Sequence, residues 1–325
     1  MPDYIFSARN INDNSFGNDV DTTVHYLIVP DDANAISTVH IVTQKDWLLN
    51  LIKPDAPPDP LDDILIYVHG YNNSDNDMLA NHRIIKNGLE MIGYKGKVVS
   101  FDWPCGNSAL MYLPDRHKAK ITAMQLVNSG IALLARQQDK NCTINVHLLA
   151  HSTGAYVVRE AFDDADDTNE VSAGDNAGVG VNASNWMVTQ MMFISGDVSA
   201  SSMSEGAYAN SIYAHSVRVT NYSNPYDKVL ALSNIKRAGF ENRVGRIGLP
   251  LDAPAKAVNV NNGPYFNTIK DDVAGISFTH SWYFNPDYNQ IFMQDLLYTI
   301  QGDIDRNYIP TRELVNSELE LKIAL

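Results

Sequence analysis

A serine set between a short strand and a helix, on a turn of small residues, is a place where acyl-transfer chemistry can be done. Residues 143–154, T-I-N-V-H-L-L-A-H-S-T-G, offer that arrangement. As far as Leu149 the stretch is short, β-rich and apolar on both faces, as a buried strand of a parallel sheet would be. It then turns through Ala150, His151, Ser152, Thr153 and Gly154. Beyond the turn, Ala155, Val158 and Phe162 recur on one helical face. Strand, turn and helix in this order are the setting of a nucleophile elbow, with Ser152 at the apex and its hydroxyl pointing out of the backbone. The Thr153 amide then lies at a helix N-terminus, where partial positive charge can face an oxyanion. Gly154 and Ala150 allow the tight bend; the common form of the motif has glycine at both positions, so Ala150 is a departure. A serine that merely caps a helix is the plain alternative.

An elbow serine needs a base, an acid to orient that base, and a second oxyanion donor. Of the nine histidines only His215 and His280 lie downstream, where the order serine, acid, histidine would place the base. His215 starts a strand, on the wrong edge of the sheet, and precedes the better acid. His280 sits in F-T-H-S-W-Y-F, between the last strand and the last helix, and is the expected base. Asp197 and Asp227 both end strands at the same edge. Asp227 is preferred as orienter because it falls one strand later and Pro225 stiffens its turn, although it could instead cap the helix it opens. Asp197 is then a second acid or a pocket residue. His69-Gly70-Tyr71 follows the first parallel strand, where the second oxyanion amide usually originates. The Tyr71 amide is the expected donor, Gly70 would permit an unusual backbone, and His69 would pin the loop.

These residues need a scaffold of alternating strands and helices, and the chain supplies the pattern. From residue 61, strands are expected at 64–68, 98–103, 143–149, 191–194, 217–222 and 257–260, the last strand. Helices are expected at 77–92, 115–137, 228–238 and 291–300, with one directly after the elbow. Repeated units of this length require crossover connections and a parallel sheet covered on both faces. Residues 1–60 carry β-rich runs at 4–8, 24–29 and 38–42, a short helix at 45–53 and a proline-rich connector at 54–60. They read as an antiparallel extension of the same domain, with a separate cap as the alternative. Residues 61–325 form the core, interrupted by an acidic and then Gly/Ala/Asn-rich insertion at 163–185. That insertion lacks the alternating ligands of a calcium loop and reads as a solvated loop. Leu110 to Leu113 follow a strand's C-terminal end and could wall a pocket.

Composition excludes several classes. The chain has 325 residues, 45% hydrophobic and 19% charged, an ordinary globular balance. Twenty-four Lys and Arg against 38 Asp and Glu leave a net charge of −14, which repels nucleic acid and anionic membrane. Cys105 and Cys142 form neither a metal spacing nor a disulfide framework, so no metal and no cofactor are expected. No run is long enough to span a bilayer and the N-terminus has no secretory pattern, so a cytoplasmic location is expected.

Taken in order, H-G-Y-N-N, F-D-W-P, A-H-S-T-G, Y-S-N-P-Y-D-K-V-L and T-H-S-W-Y-F resemble the α/β-hydrolase superfamily over residues 64–300. More narrowly, the series resembles a bacterial branch catalogued as a domain of unknown function. The resemblance implies an α/β-hydrolase fold, a mostly parallel twisted sheet with helices on both faces, and a Ser152–Asp227–His280 triad. It implies no particular substrate. The resulting expectation is a serine hydrolase acting on a small-molecule carboxylic ester, with small or medium acyl groups preferred because no long apolar cap is visible. A peptidase or amidase using the same residues, and a non-catalytic interaction module, are the alternatives.

Overall fold

The computed structural model describes residues 1–324 except 53–62, 72, 106–115, 136–143, 167–185, 237–240 and 271–274. The chain begins with β1 (Asp3–Asn12), β2 (Ser15–Val29), β3 (Ile41–Val42) and α1 (Gln44–Leu51). Next come β4 (Ile64–Val68), α2 (Asp75–Met91), β5 (Lys97–Asp102) and α3 (Arg116–Leu126), which runs through a π turn, Val127–Ile131, into α4 (Ala132–Ala135). The middle holds β6 (Val146–His151), α5 (Thr153–Asp166), β7 (Val188–Ile194), α6 (Asn210–Ala214), β8 (Ser216–Ser223), α7 (Lys228–Lys236) and α8 (Val244–Ile247). The chain ends with β9 (Ala257–Asn261), α9 (Gly263–Ile269), α10 (Phe278–Ser281), α11 (Gln290–Gln301), β10 (Arg312–Val315) and β11 (Glu318–Leu321).

Alternation along the central strands builds two apolar layers. In β4, Ile64, Ile66 and Val68 pack with α3, α4 and α5 on one face, while Leu65 and Tyr67 pack with α2, α9 and α11 on the other. Successive side chains of a strand point to opposite faces, so a strand covered on both sides must be apolar throughout. The result is one sheet of order β10-β11-β9-β8-β7-β6-β4-β5-β1-β2-β3. Neighbours from β11 to β1 run parallel. The pairs β1–β2, β2–β3 and β10–β11 are antiparallel. From β4 the chain goes to β5 on one side and then to β6 on the other, so the strand order reverses between β4 and β6. In open α/β sheets, ligands bind beyond the C-terminal strand ends at such a reversal.

The N-terminal strands are antiparallel to one another, as expected, and β1 joins the sheet parallel to β5, with Ser7 beside Asp102. Two expectations change at the edges. The run at 38–42 is a 3₁₀ turn, Thr38–His40, followed by only two strand residues. The strand at 257–260 is not the last, because β10 and β11 return to the sheet beside β9. Their hairpin turns on Asn316 and Ser317, both in the left-handed region at φ 49° and 68°, as a two-residue primed turn requires. The same geometry joins β1 to β2 at Asp13 and Asn14, φ 47° and 67°. The connector at 54–60, the candidate wall at 110–113 and most of the 163–185 insertion lie outside the described residues. Among the described residues, no helix is long and apolar enough to cross a membrane.

Candidate active site

Ser152 stands between β6 and α5 with φ 55°, a left-handed conformation that costs a non-glycine residue on the order of 1–3 kcal/mol. Three backbone hydrogen bonds hold it there. The Ser152 amide donates to Ile194 O at 3.1 Å, and the Ser152 carbonyl accepts from Asp197 at 2.9 Å and from Ala155 at 3.1 Å. Space is equally constrained. A Cβ on Gly154 would lie 2.5 Å from Val68 O and 2.6 Å from His69 O, so only glycine lets α5 approach β4. Ala150 sits in β6, two residues before Ser152, fully buried and paired with Val68 and Phe193. Its methyl is accommodated without breaking the strand.

His280 and Asp227 reach Ser152 from separate elements. His280, in the short helix α10 rather than an open loop, places Nε2 2.7 Å from Ser152 Oγ. Its Nδ1 lies 2.7 Å from Asp227 Oδ2. Asp227 is fully buried and has two tasks, since Oδ1 accepts the Leu230 amide at 2.9 Å and thereby caps α7. The capping and orienting readings of Asp227 are thus compatible. The two loops are tied together: Asn224 Nδ2 donates to Thr279 O at 3.0 Å, and the Lys228 amide donates to Thr279 Oγ1 at 3.0 Å. Asp197 lies beneath the elbow and faces Arg243 Nε at 3.3 Å; the carboxylate at His280 Nδ1 is that of Asp227. His215 ends α6 at the opposite edge of the sheet and stacks on Trp186.

Thr153 is the first residue of α5, where an amide has no carbonyl a turn earlier to bond. Gly70 touches Ser152 from the β4 side: a Cβ there would lie 2.7 Å from Ser152 Cβ. Its φ is not in the left-handed region; the residue must be small because of this approach, not because of an unusual backbone. His69 holds the loop. Its Nε2 accepts the Trp103 amide at 3.1 Å, its carbonyl accepts Trp103 Nε1–H at 2.9 Å, and its Nδ1 lies 2.9 Å from Gly70 O. Burial resists a charge on this ring while Asp102 and Cys105 favour one, with a net rise to about 9. The Trp103 N–H nevertheless needs a lone pair on Nε2, so the ring in this arrangement is the neutral Nδ1–H tautomer.

Sequence reasoning missed His151. Its Nε2 donates to the carbonyl of His280 at 3.2 Å, and its ring packs on His280 and Phe284. Burial, reinforced by the neighbouring His280, keeps its pKa well below the ordinary value. It therefore stays neutral and steadies the backbone that carries His280. Asn224 and Thr279 were also missed, although N-P at 224–225 is a turn signal. Among the described residues no group of three His, Cys, Asp or Glu is placed to hold a metal.

A parallel, doubly covered sheet with a strained serine after β6, an acid after β8 and a histidine in α10, after β9, defines an α/β-hydrolase. The model of the family described as "Alpha/beta hydrolase of unknown function (DUF900)" matches residues 44–288, and the chain belongs to that family. A comparison with curated proteins finds no match. Among solved structures, a cutinase-like protein from Cryptococcus sp. is similar at 15% identity and TM-score 0.34, over 74% of this chain and 95% of the other. An acetylxylan esterase is similar at 11% identity and TM-score 0.34, over 74% and 98%. The catalytic core of acetyl xylan esterase from Trichoderma reesei is similar at 13% identity and TM-score 0.30, over 74% and 98%. Likenesses this remote carry no argument about substrate.

Proposed function

We propose that the chain is a serine hydrolase that cleaves a small-molecule carboxylic ester through a Ser152–His280–Asp227 acyl-enzyme mechanism. The observation that carries this reading is the unbroken relay from Ser152 Oγ to His280 Nε2 at 2.7 Å and from His280 Nδ1 to Asp227 Oδ2 at 2.7 Å. His280 Nε2 takes the hydroxyl proton as Oγ attacks the ester carbonyl. The Thr153 and Tyr71 amides receive the charge that develops on the carbonyl oxygen. His280 then gives its proton to the leaving alkoxide, and the C–O bond breaks. Water, deprotonated by the same nitrogen, attacks the acyl-Ser152 and releases the acid. Asp227 keeps Nδ1–H in place and stabilises the imidazolium.

The test is a panel of aryl esters of increasing acyl length, with the matched amides, run on wild type and Ser152→Ala. The reading requires ester turnover that Ser152→Ala lowers by on the order of 10⁶, fastest with short or medium acyl groups. Faster cleavage of the matched amides would make the enzyme an amidase. Equal rates for wild type and Ser152→Ala would remove Ser152 from the chemistry.

A further inference from the structure

We infer that Arg9, a residue of the N-terminal extension outside the family match, is a positioning residue for the oxyanion loop. This rests on the serine-hydrolase reading above. Gly70 and Tyr71 are joined by a peptide whose plane sets the donor: a trans peptide is planar, so its C=O and N–H point in opposite directions. Whatever holds Gly70 O therefore aims the Tyr71 N–H. Gly70 O accepts from His69 Nδ1 at 2.9 Å and from Asn73 Nδ2 at 3.1 Å. Rotating the peptide would break both bonds and leave the buried His69 N–H unmatched.

Both donors lead back to Arg9. The Asn73 carbonyl accepts from Arg9 Nη2 at 3.2 Å and from the Cys105 thiol at 3.2 Å. His69 is set by Trp103, the residue directly after Asp102. Asp102, at the end of β5, accepts Arg9 Nε–H at 2.8 Å and 3.0 Å and Ser7 Oγ–H at 2.7 Å. Arg9 is 2% exposed and Asp102 fully buried. One planar guanidinium thus spans the end of β5 and the end of the oxyanion loop, a task for which its fixed fork suits it and a lysine ammonium does not. The remaining contacts, from Nη1 to Gly17 O at 3.4 Å and to Asn18 Oδ1 at 3.3 Å, keep the fork turned inward.

A structural ion pair would show itself in stability alone. A positioning residue for the oxyanion loop acts on the transition state, in which the oxyanion is formed, more than on the bound ester. Arg9→Met and Arg9→Lys are compared with Arg312→Met, which breaks an equally buried Arg–Asp pair at the far edge of the sheet. The measurements are kcat and KM on a short aryl ester, the inhibition constant of a phosphonate transition-state analogue, and the melting temperature. Both Arg9 variants should lower kcat by about 10- to 100-fold, leave KM nearly unchanged and weaken the analogue in parallel. Arg312→Met should lower only the melting temperature. Because Arg9→Lys keeps a charge opposite Asp102, it answers the question even if Arg9→Met does not fold. A near-wild-type kcat in Arg9→Lys, or an equal kcat loss in Arg312→Met, overturns the inference. Wild type that neither turns over esters nor is labelled at Ser152 by a fluorophosphonate instead overturns the hydrolase reading and takes this inference with it.

Discussion

Three residues around the nucleophile separate chemistry from support. Asp227→Asn keeps an oxygen able to cap α7, so the fold should survive. Loss of the carboxylate should still lower kcat by about 10⁴, because the imidazole is then held in the wrong tautomer. Asp197→Asn should act differently, lowering the melting temperature by weakening the contact with Arg243 while leaving kcat close to wild type. Measuring kcat and thermal stability for both variants checks the assignment, and a reversed pattern would make Asp197 the orienter. Gly154→Ala would press a methyl against two carbonyl oxygens of β4 and its loop, a clash that costs typically 1–3 kcal/mol and is read in a denaturant titration. Ser152, His280 and Asp227 were legible in sequence because each is a chemically special residue at the end of a recognisable strand or in the loop after one. His151 was not, since a histidine inside an elbow has no spacing that tells a buttress from a bystander. Its partner is a backbone carbonyl 129 residues away.

The elements that place these residues were legible where both faces of a strand are buried. The run at 64–68, I-L-I-Y-V, is apolar throughout, as a doubly covered parallel strand needs, and those at 143–149 and 217–222 set polar residues among β-branched and apolar ones. The edges were hidden. The β10–β11 hairpin is short and polar, R-E-L-V and E-L-E-L, and its turn is Asn-Ser rather than the Asn-Gly that signals a primed turn. What attaches it is long-range: Arg312 donates to Asp295 Oδ1 at 2.7 Å and Oδ2 at 2.9 Å and to Thr299 Oγ1 at 2.6 Å. Both charged side chains are fully buried. Breaking a buried pair by removing one partner costs about 3–5 kcal/mol. Arg312→Met should therefore unfold at a markedly lower temperature while keeping its kcat at 25 °C; an unchanged melting temperature would show that the hairpin is held by something else.

For the whole molecule, the N-terminal strands complete the sheet and bring charge into its interior. Burial alone would raise the Asp102 pKa, but the Arg9 guanidinium beside it holds it below the ordinary 3.8. A depressed carboxylate stabilises the fold above its unfolded pKa and loses that contribution as pH falls towards the folded value. Wild type should accordingly lose stability through this group as pH drops below about 4. Asp102→Asn should be less stable at neutral pH and should lack that part of the acid-induced decline in chemical denaturation. The same strands supply Arg9, so the extension and the hydrolase core are expected to function as one unit. The proposed role of Ser152, a nucleophile activated by His280 that Asp227 orients, is checked by treating the purified protein with a fluorophosphonate and mapping the adduct by peptide mass spectrometry. One phosphonylated residue, Ser152, is expected, with labelling abolished in Ser152→Ala and strongly slowed in His280→Ala. Adduct formation on another residue, or undiminished labelling of Ser152→Ala, would contradict it.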